Sequence, residues 1–279
     1  MTTLAPPAVP GTRATGSRGR RSGSLTWMAL PALLVFVAFA VLPLVGVLLL
    51  SFTSWDGIGV IRPAGFDSWR AELTDPGLPH ALWVTFVVMA LSWAVQTPLS
   101  LLLGVFLAGH QRYRELLAAL FFIPLLVQDW LGKPALAIGV VVFVVSWQYI
   151  PFHTLIYQGA VRQIPRSMYE AAQLDGAGRV RTFFRITLPQ LKYTIITSST
   201  LMVVGSLVFF DLIFVLTAGG PGDATRVLAL EMYKRGFQAN LMGQASVIAV
   251  ILVLLGLGLA LLLRRIGGGS SSTSQLEGV

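Results

Sequence analysis

The sequence predicts an all-α membrane protein with about six transmembrane helices, on three observations. Hydrophobic residues make up 55% of the 279 positions and charged residues only 11%, where a soluble domain carries roughly a quarter charged residues. Apolar stretches of about twenty residues recur, each long enough to cross a hydrocarbon core of about 30 Å as a helix. Arg and Lys collect in the short polar segments between those stretches, the distribution that sets membrane orientation. A chain this apolar needs lipid as its solvent, so the net charge of +8 reads as topology and not as affinity for nucleic acid. The absence of Cys excludes disulfides, thiolate metal sites and a Cys nucleophile.

Residues 1–24 are rich in Pro, Gly, Ser and Arg and read as a disordered basic tail. Arg13, Arg18, Arg20 and Arg21 precede an apolar run at 27–50. That run exceeds the 7–15-residue core of a cleaved signal, and no small-residue cleavage site ends it, so it reads as an uncleaved signal-anchor helix. A second segment covers about 81–108, with Pro98 inside it. A third, about 116–127, is weak. A fourth covers about 134–158, a fifth about 190–216 and a sixth about 242–263. The membrane domain is therefore 25–265, and the Gly- and Ser-rich stretch 266–279 reads as a flexible tail. Trp27, Trp55, Trp69 and Trp83 fall where interfacial anchors belong.

Loop charges support the count. Arg112 and Arg114 lie between segments two and three. Arg162, Arg166, Arg179, Arg181, Arg185 and Lys192 lie between four and five, and Arg264 and Arg265 follow six. Six crossings place all of these, and both termini, in the cytoplasm. Dropping the third segment would put the Arg-rich 159–189 loop and the Arg-rich end on opposite sides, so it is kept despite its length.

The loop from Ile164 to Pro189 carries the most information. Ser167 and Glu170 stand at the spacing of a capping box. Ala171 and Ala172 continue a small-faced helix, and Gly176 suits a left-handed stop. A second short helix is expected from about Arg179 to Ile186, and Pro189 suits the first turn of segment five. On these grounds alone the stretch is either a docking element or an amphipathic connector on the membrane surface.

The loop resembles the EAA loop of permeases of binding-protein-dependent ABC importers, whose pattern is E-A-A, three residues, Gly, nine residues, then I-x-L-P. Glu170, Ala171, Ala172, Gly176, Ile186, Leu188 and Pro189 occupy those positions, and Asp175 precedes the glycine. A second set of residues resembles the carbohydrate-uptake group, in particular the maltose and glycerol-3-phosphate importer permeases. It comprises Phe210-Asp211, Leu216-Thr217, Gly219-Gly220-Pro221, Thr225, Tyr233, Phe237 and Gly243-Gln244-Ala245-Ser246. Together the matches cover roughly 25–265.

The resemblance implies an importer permease fold and a coupling role for Glu170 to Pro189 against a separate ATPase. It implies a second similar permease, a dimer of ATP-binding subunits and an extracytoplasmic substrate-binding protein as partners in a bacterial inner membrane. ATP and Mg would be bound by the partner subunit, with no cofactor in this chain and alternating access as the mechanism. A di- or oligosaccharide is the implied substrate, with glycerol-phosphate-type compounds as the alternative. Substrate contacts would come from Gln148, Phe152, Ser206 and Phe209, a mix of aromatic and hydrogen-bonding groups that also suits midmembrane packing. Asp211, the one carboxylate of the apolar segments apart from the loops, is open to a packing role or to a place on the pathway.

One departure stands out. In the family, segment three continues past its Phe-Ile-Pro, but here Phe122-Ile123-Pro124 runs almost at once into Gln128-Asp129-Trp130-Leu131-Gly132-Lys133-Pro134. The third helix is thus expected to be truncated, about twelve residues or about 18 Å long, and a subunit that assembles without transporting is one reading of it. No enzyme constellation is present. There is no G-x-x-x-x-G-K-[ST] to hold ATP, and no G-x-S-x-G. His80, His110 and His153 match no metal spacing. The scarcity of intramembrane carboxylates argues against a secondary carrier acting alone, the remaining alternative.

Overall fold

A computed structural model of the chain describes residues 25–108 and 129–266. The basic tail, the third predicted segment at 116–127, Arg112, Arg114 and the residues after Ile266 lie outside the described residues. The chain divides into two compact units, 1–46 and 47–279. In the first, helix α1 (Leu25–Phe36) passes through a π-turn (Val37–Val41) into α2 (Leu42–Leu50). The π-turn has a local cause. Pro43 has no N–H to donate to the preceding turn, and the ladder widens just before it, with the Leu42 N–H reaching the Val37 carbonyl. Apolar side chains on this run point outward, Phe39 at 80% exposure, as expected of a helix with no polar face.

The second unit begins within α2. A short antiparallel ribbon follows, β1 (Thr53–Ser54) on β2 (Arg62–Pro63), with Thr53 opposite Pro63 and Ser54 opposite Arg62. After α3 (Asp67–Leu73) comes the long α4 (Gly77–Ala108). A 3₁₀ turn (Asp129–Gly132) leads into α5 (Pro134–Arg162), which starts on Pro134 in its first turn, where a missing N–H costs nothing. The loop elements α6 (Arg166–Leu174), α7 (Arg179–Thr182), a π-turn (Phe183–Thr187) and α8 (Leu188–Gln190) precede α9 (Lys192–Ser206). Then come α10 (Asp211–Leu216), α11 (Leu228–Tyr233), a π-turn (Lys234–Gln238) and α12 (Met242–Ile266). The last helix continues one residue into the stretch read as a tail.

Four helical runs among the described residues are long and apolar enough to cross a membrane: Ala29–Leu50, Gly77–Phe106, Leu136–Arg162 and Met242–Ile266. The predicted fifth crossing is not one continuous helix. Its ladder changes at Leu207, whose N–H reaches Val204, and continues as i→i−3 bonds at Val208 and Phe209 before α10 begins. The break turns two aromatic rings into packing. Phe209 stacks on Tyr149 of α5 at 5.5 Å, and Phe210 stacks on Phe214 at 5.2 Å and meets Tyr233 at 5.0 Å. An apolar run shows length but not the point at which side chains gain more by turning than the backbone loses. The six predicted crossings are thus four continuous helices, one broken helix and one segment outside the described residues.

The core lies where α4 and α5 pair. Val84 and Val88 pack on Val141 and Val145, with Ile213, Val227, Ala229 and Leu230 closing the cluster. At the end of the molecule that holds the start of α4, Leu78, Ala81, Leu228 and Ile248 form a second cluster. At the other end Leu101, Tyr157 and Leu191 form a third, against which Ile164, Phe183 and Leu188 pack. Gly104 lets α4 and α5 close up there: a Cβ on it would lie 2.6 Å from that of Tyr157. Between the helices runs a polar seam, as expected where lipid gives no hydrophobic drive for helix association. His153 Nδ1 and Ser198 Oγ are 2.9 Å apart, and the Thr97 hydroxyl donates to Met202 Sδ at 3.2 Å.

Candidate functional site

The predicted coupling loop folds as two short helices seated on the third core cluster. α6 starts earlier than the sequence suggests, because Pro165 is the N-cap, with φ −57° and extended ψ, and no side chain caps the helix. The capping box of Ser167 and Glu170 is therefore not formed. The Met168 N–H takes the Pro165 carbonyl at 3.2 Å, and Ser167 falls inside the first turn. The C-terminal end follows the prediction. Gly176 has φ +67°, its N–H bonds the Gln173 carbonyl at 3.0 Å, and the Ala177 N–H reaches back to Ala172 at 2.9 Å. This pair of bonds satisfies two carbonyls that the helix end leaves free, and it needs a left-handed residue between them.

The return strand of the loop explains the I-x-L-P spacing. Pro189 lacks the N–H that would bond Arg185, and the helix widens into the π-turn before it, the Leu188 N–H reaching Phe183. That turn fixes three neighbours in different directions. Ile186 lines a groove, Leu188 packs on the core cluster, and buried Thr187 pairs its hydroxyl with the Tyr169 hydroxyl of α6 at 3.1 Å. Pro189 itself is exposed. The groove, about 550 Å³, lies between α6 and α7 and is lined by Ala171, Ala172, Asp175, Arg181, Arg185 and Ile186 among others.

The outer face of the loop is open. Ala172 is buried at 7%, while Glu170, Ala171, Asp175 and Gly176 are exposed. Glu170 has no hydrogen bond or ion pair among the described residues, so its carboxylate is available to another molecule. Three apolar side chains of the same loop that sequence reasoning left out are also exposed: Leu174 at 89%, Val180 at 71% and Phe184 at 61%. Their signal was faint, since single apolar residues on short helices look like inward anchors until the inward positions are filled by others. Six cations and two carboxylates lie between Arg162 and Lys192, so the surface offers apolar tips in a positive field.

The residues read as substrate-facing are not gathered into one pocket. Gln148 and Phe152 are exposed one turn apart on α5. Phe209 is spent on Tyr149, and Ser206 is buried at 4%, with its hydroxyl donating to the Val203 carbonyl at 2.8 Å. Asp211 is exposed at the first position of α10 and has no partner among the described residues. The second motif is architectural. Thr225 Oγ1 donates to the Gly220 carbonyl at 2.9 Å and lies 2.7 Å from Thr217 Oγ1. Tyr233 stacks on Phe237 and meets Phe210 at a tilt.

Sequence reasoning missed a charged cluster at the end opposite the loop. Fully buried Glu72 and Glu231 face Arg235, at 3.7 and 2.9 Å, and Arg235 also pairs with Asp75. Arg226 pairs with Glu231 and, at 3.1 Å, with Asp223, and Lys234 lies 3.9 Å from Asp223. Burial pushes Glu72 from 4.5 up to about 7, against the pull of Arg235 and with the push of Asp75 and Glu231. Among the described residues no group of His and acidic side chains is arranged to hold a metal.

The helical scaffold and the loop it carries define a class, a membrane permease of the importer kind. Residues 15–267 match the family described as "Binding-protein-dependent transport system inner membrane component", and the chain belongs to that family. Its relatives are permeases of ABC transporters, several of them for sugars. It is similar to the probable ABC transporter permease protein YurN of Bacillus subtilis, 38% identical over 137 residues, in a match that takes in 49% of this chain and 47% of that protein. The probable ABC transporter permease protein PH1215 of Pyrococcus horikoshii is 30% identical over 279 residues, covering 85% of this chain and 94% of that one. The trehalose/maltose transport system permease protein MalF of Thermococcus litoralis is 29% identical over 277 residues, covering 86% and 92%. The same fold occurs in the crystal structure of a bacterial ABC transporter involved in the import of the acidic polysaccharide alginate, with a TM-score of 0.72 and 20% identity over 87% of this chain and 94% of that one. The chain is thus a multi-pass membrane permease of that family.

Proposed function

We propose that this permease imports a di- or oligosaccharide by alternating access, driven by a separate ATPase that docks on the α6–α7 loop. The observation that carries the reading is the exposed loop, which offers Glu170, Leu174, Val180 and Phe184 to solvent while Phe183 and Leu188 seat it on the helix core. The partners are a second similar permease, two ATP-binding subunits that hold ATP and Mg, and an extracytoplasmic binding protein; one neighbouring structure is a transporter in complex with an alginate pentasaccharide-bound periplasmic protein. The loop and both termini are cytoplasmic. Six cations lie between Arg162 and Lys192, and α12, about 37 Å long at 1.5 Å per residue, carries Arg264 and Arg265 away from the opposite end. At that end Arg226, Lys234 and Arg235 are paired with carboxylates, which lowers the positive charge on the outer side.

Gln148 and Phe152, exposed on α5, are assigned to the pathway wall. Ser206, Phe209 and Asp211 are assigned to the break in the fifth crossing that shapes it. The test is substrate-stimulated ATPase activity of the assembled transporter. Replacing Glu170 with Ala, or Gly176 with Val, should abolish the stimulation while membrane insertion stays intact. Full stimulation with both replaced would overturn the coupling role.

A further inference from the structure

We infer that the ribbon after the first crossing is a membrane-surface anchor, whose tip of Ile58, Val60 and Ile61 sits at the headgroup–acyl boundary of the lipid bilayer at the end opposite the coupling loop. The tip is among the most exposed apolar surface of the described residues: Ile58 is 93%, Val60 82% and Ile61 49% exposed. Such a cluster in water costs free energy that an occupant recovers.

The base of the ribbon fixes its height. It begins three residues after the crossing Ala29–Leu50 ends. The Met242 N–H, at the first residue of the crossing Met242–Ile266, donates to the Trp55 carbonyl at 3.0 Å. The Ser68 hydroxyl donates to the Thr53 carbonyl at 2.8 Å. A ribbon clamped between the end of one crossing and the start of another lies at the membrane boundary, and its tip is only a few residues away.

The tip is also prepared for a medium with little water. Asp56 Oδ1 accepts the N–H of Ile58 at 3.0 Å and of Gly59 at 2.7 Å, and the Trp55 indole N–H donates to the Gly59 carbonyl at 2.8 Å. Backbone groups that would otherwise need water are bonded inside the turn. Trp55 and exposed Arg62 flank the apolar residues, the ring and the cation that favour the interface and the phosphates. The carboxylate of Asp56 limits the depth to the headgroup level. A lipid surface fits this set of groups better than a protein groove does, because the anchor's position follows from the two crossings that hold it.

The chain has no Cys, so a single Cys gives a unique probe. Ile58→Cys carrying an environment-sensitive fluorophore is placed in the assembled transporter in phosphatidylethanolamine–phosphatidylglycerol vesicles, with Asp67→Cys on α3 as the water-exposed control. The result expected is quenching of the Ile58 probe by lipids with a nitroxide near the headgroup, loss of quenching by aqueous iodide, and the reverse at position 67. Quenching by iodide at both positions overturns the anchor. Shielding from both quenchers that vanishes when the binding protein is left out overturns it too, in favour of a protein partner. Val60→Cys repeats the measurement should the first variant fail to assemble. ATPase coupling is not read in this experiment, so its outcome is separate from that of the loop.

Discussion

Glu72 shows how a single buried residue can make the end opposite the loop respond to pH. Its carboxyl, fully buried, is pushed to about 7, mainly by burial and then by the neighbouring carboxylates of Asp75 and Glu231, with Arg235 opposing. A carboxyl whose folded value lies above its unfolded 4.5 holds its proton more tightly when folded, so stability falls as pH rises from about 4.5 to 7 and is flat above that. Asp75 titrates outside this window: burial works against it, but the bonds from Arg235 and the Gly77 N–H hold it below the usual range. The solubilised protein should melt a few degrees higher at pH 5.5 than at pH 8, and Glu72→Gln should raise the pH 8 melting temperature and flatten the difference. A wild-type protein more stable at pH 8 would contradict this. Gly176 is the other position set by one residue's backbone. At φ +67°, Gly176→Ala costs about 1–2 kcal/mol in the loop, visible as faster amide exchange across α6 with little change in global melting.

At the scale of elements, the pairing of α4 with α5 decides what the membrane core tolerates. The helices approach closely enough that a methyl on Gly104 meets the Tyr157 Cβ at 2.6 Å and the Thr154 carbonyl at 3.0 Å. Gly104→Ala should therefore lower stability by about 1–3 kcal/mol through overpacking, read as a lower melting temperature in detergent, whereas Gly139→Ala on the same pair of helices, where nothing lies within 4 Å, should leave it unchanged.

Elements were legible in the sequence where a single physical rule dominates. Length and polarity gave the first, second, fourth and sixth crossings, and the left-handed demand at Gly176 gave the end of α6. They were not legible where rules compete. Ser167 and Glu170 have the right spacing for a cap, but Pro165 starts the helix first. The fifth crossing reads as one largely apolar run, yet its helical ladder breaks between Ser206 and Asp211, where Phe209 and Phe210 pack on other rings. The Glu72–Arg235 cluster joins residues 163 positions apart, a distance over which no local pattern runs.

For the whole molecule, the distribution of charge makes a topological statement that labelling can check. A Cys placed at Asp175 on the loop should react with a membrane-impermeant maleimide only after cells are opened, and one at Asp67 should react in intact cells. The opposite result would invert the orientation. The site was legible at this scale to an uneven degree. The loop residues Glu170 to Pro189 lie in one stretch of chain, so their spacing is readable, although Ala172 and Leu188 turn inward while Glu170 and Pro189 face out. The residues read as substrate-facing come from separate helices, and their exposure depends on packing that no spacing records, so Gln148 and Phe152 stand open while Ser206 is turned inward.

The seat of the loop on Leu101, Tyr157 and Leu191 has a mechanical meaning. Those three side chains belong to the two longest helices and to the start of α9, and the loop meets them through Ile164, Phe183 and Leu188, with α6 tied to the same turn by the Tyr169–Thr187 hydroxyl pair. α5 is about 43 Å long at 1.5 Å per residue. Turned as a rigid rod about the loop end, it would sweep its far tip by about 4 Å for a tilt of about 5°. The seat thus stands at one end of a lever as long as α5, whose far tip moves further than the loop that is packed against it.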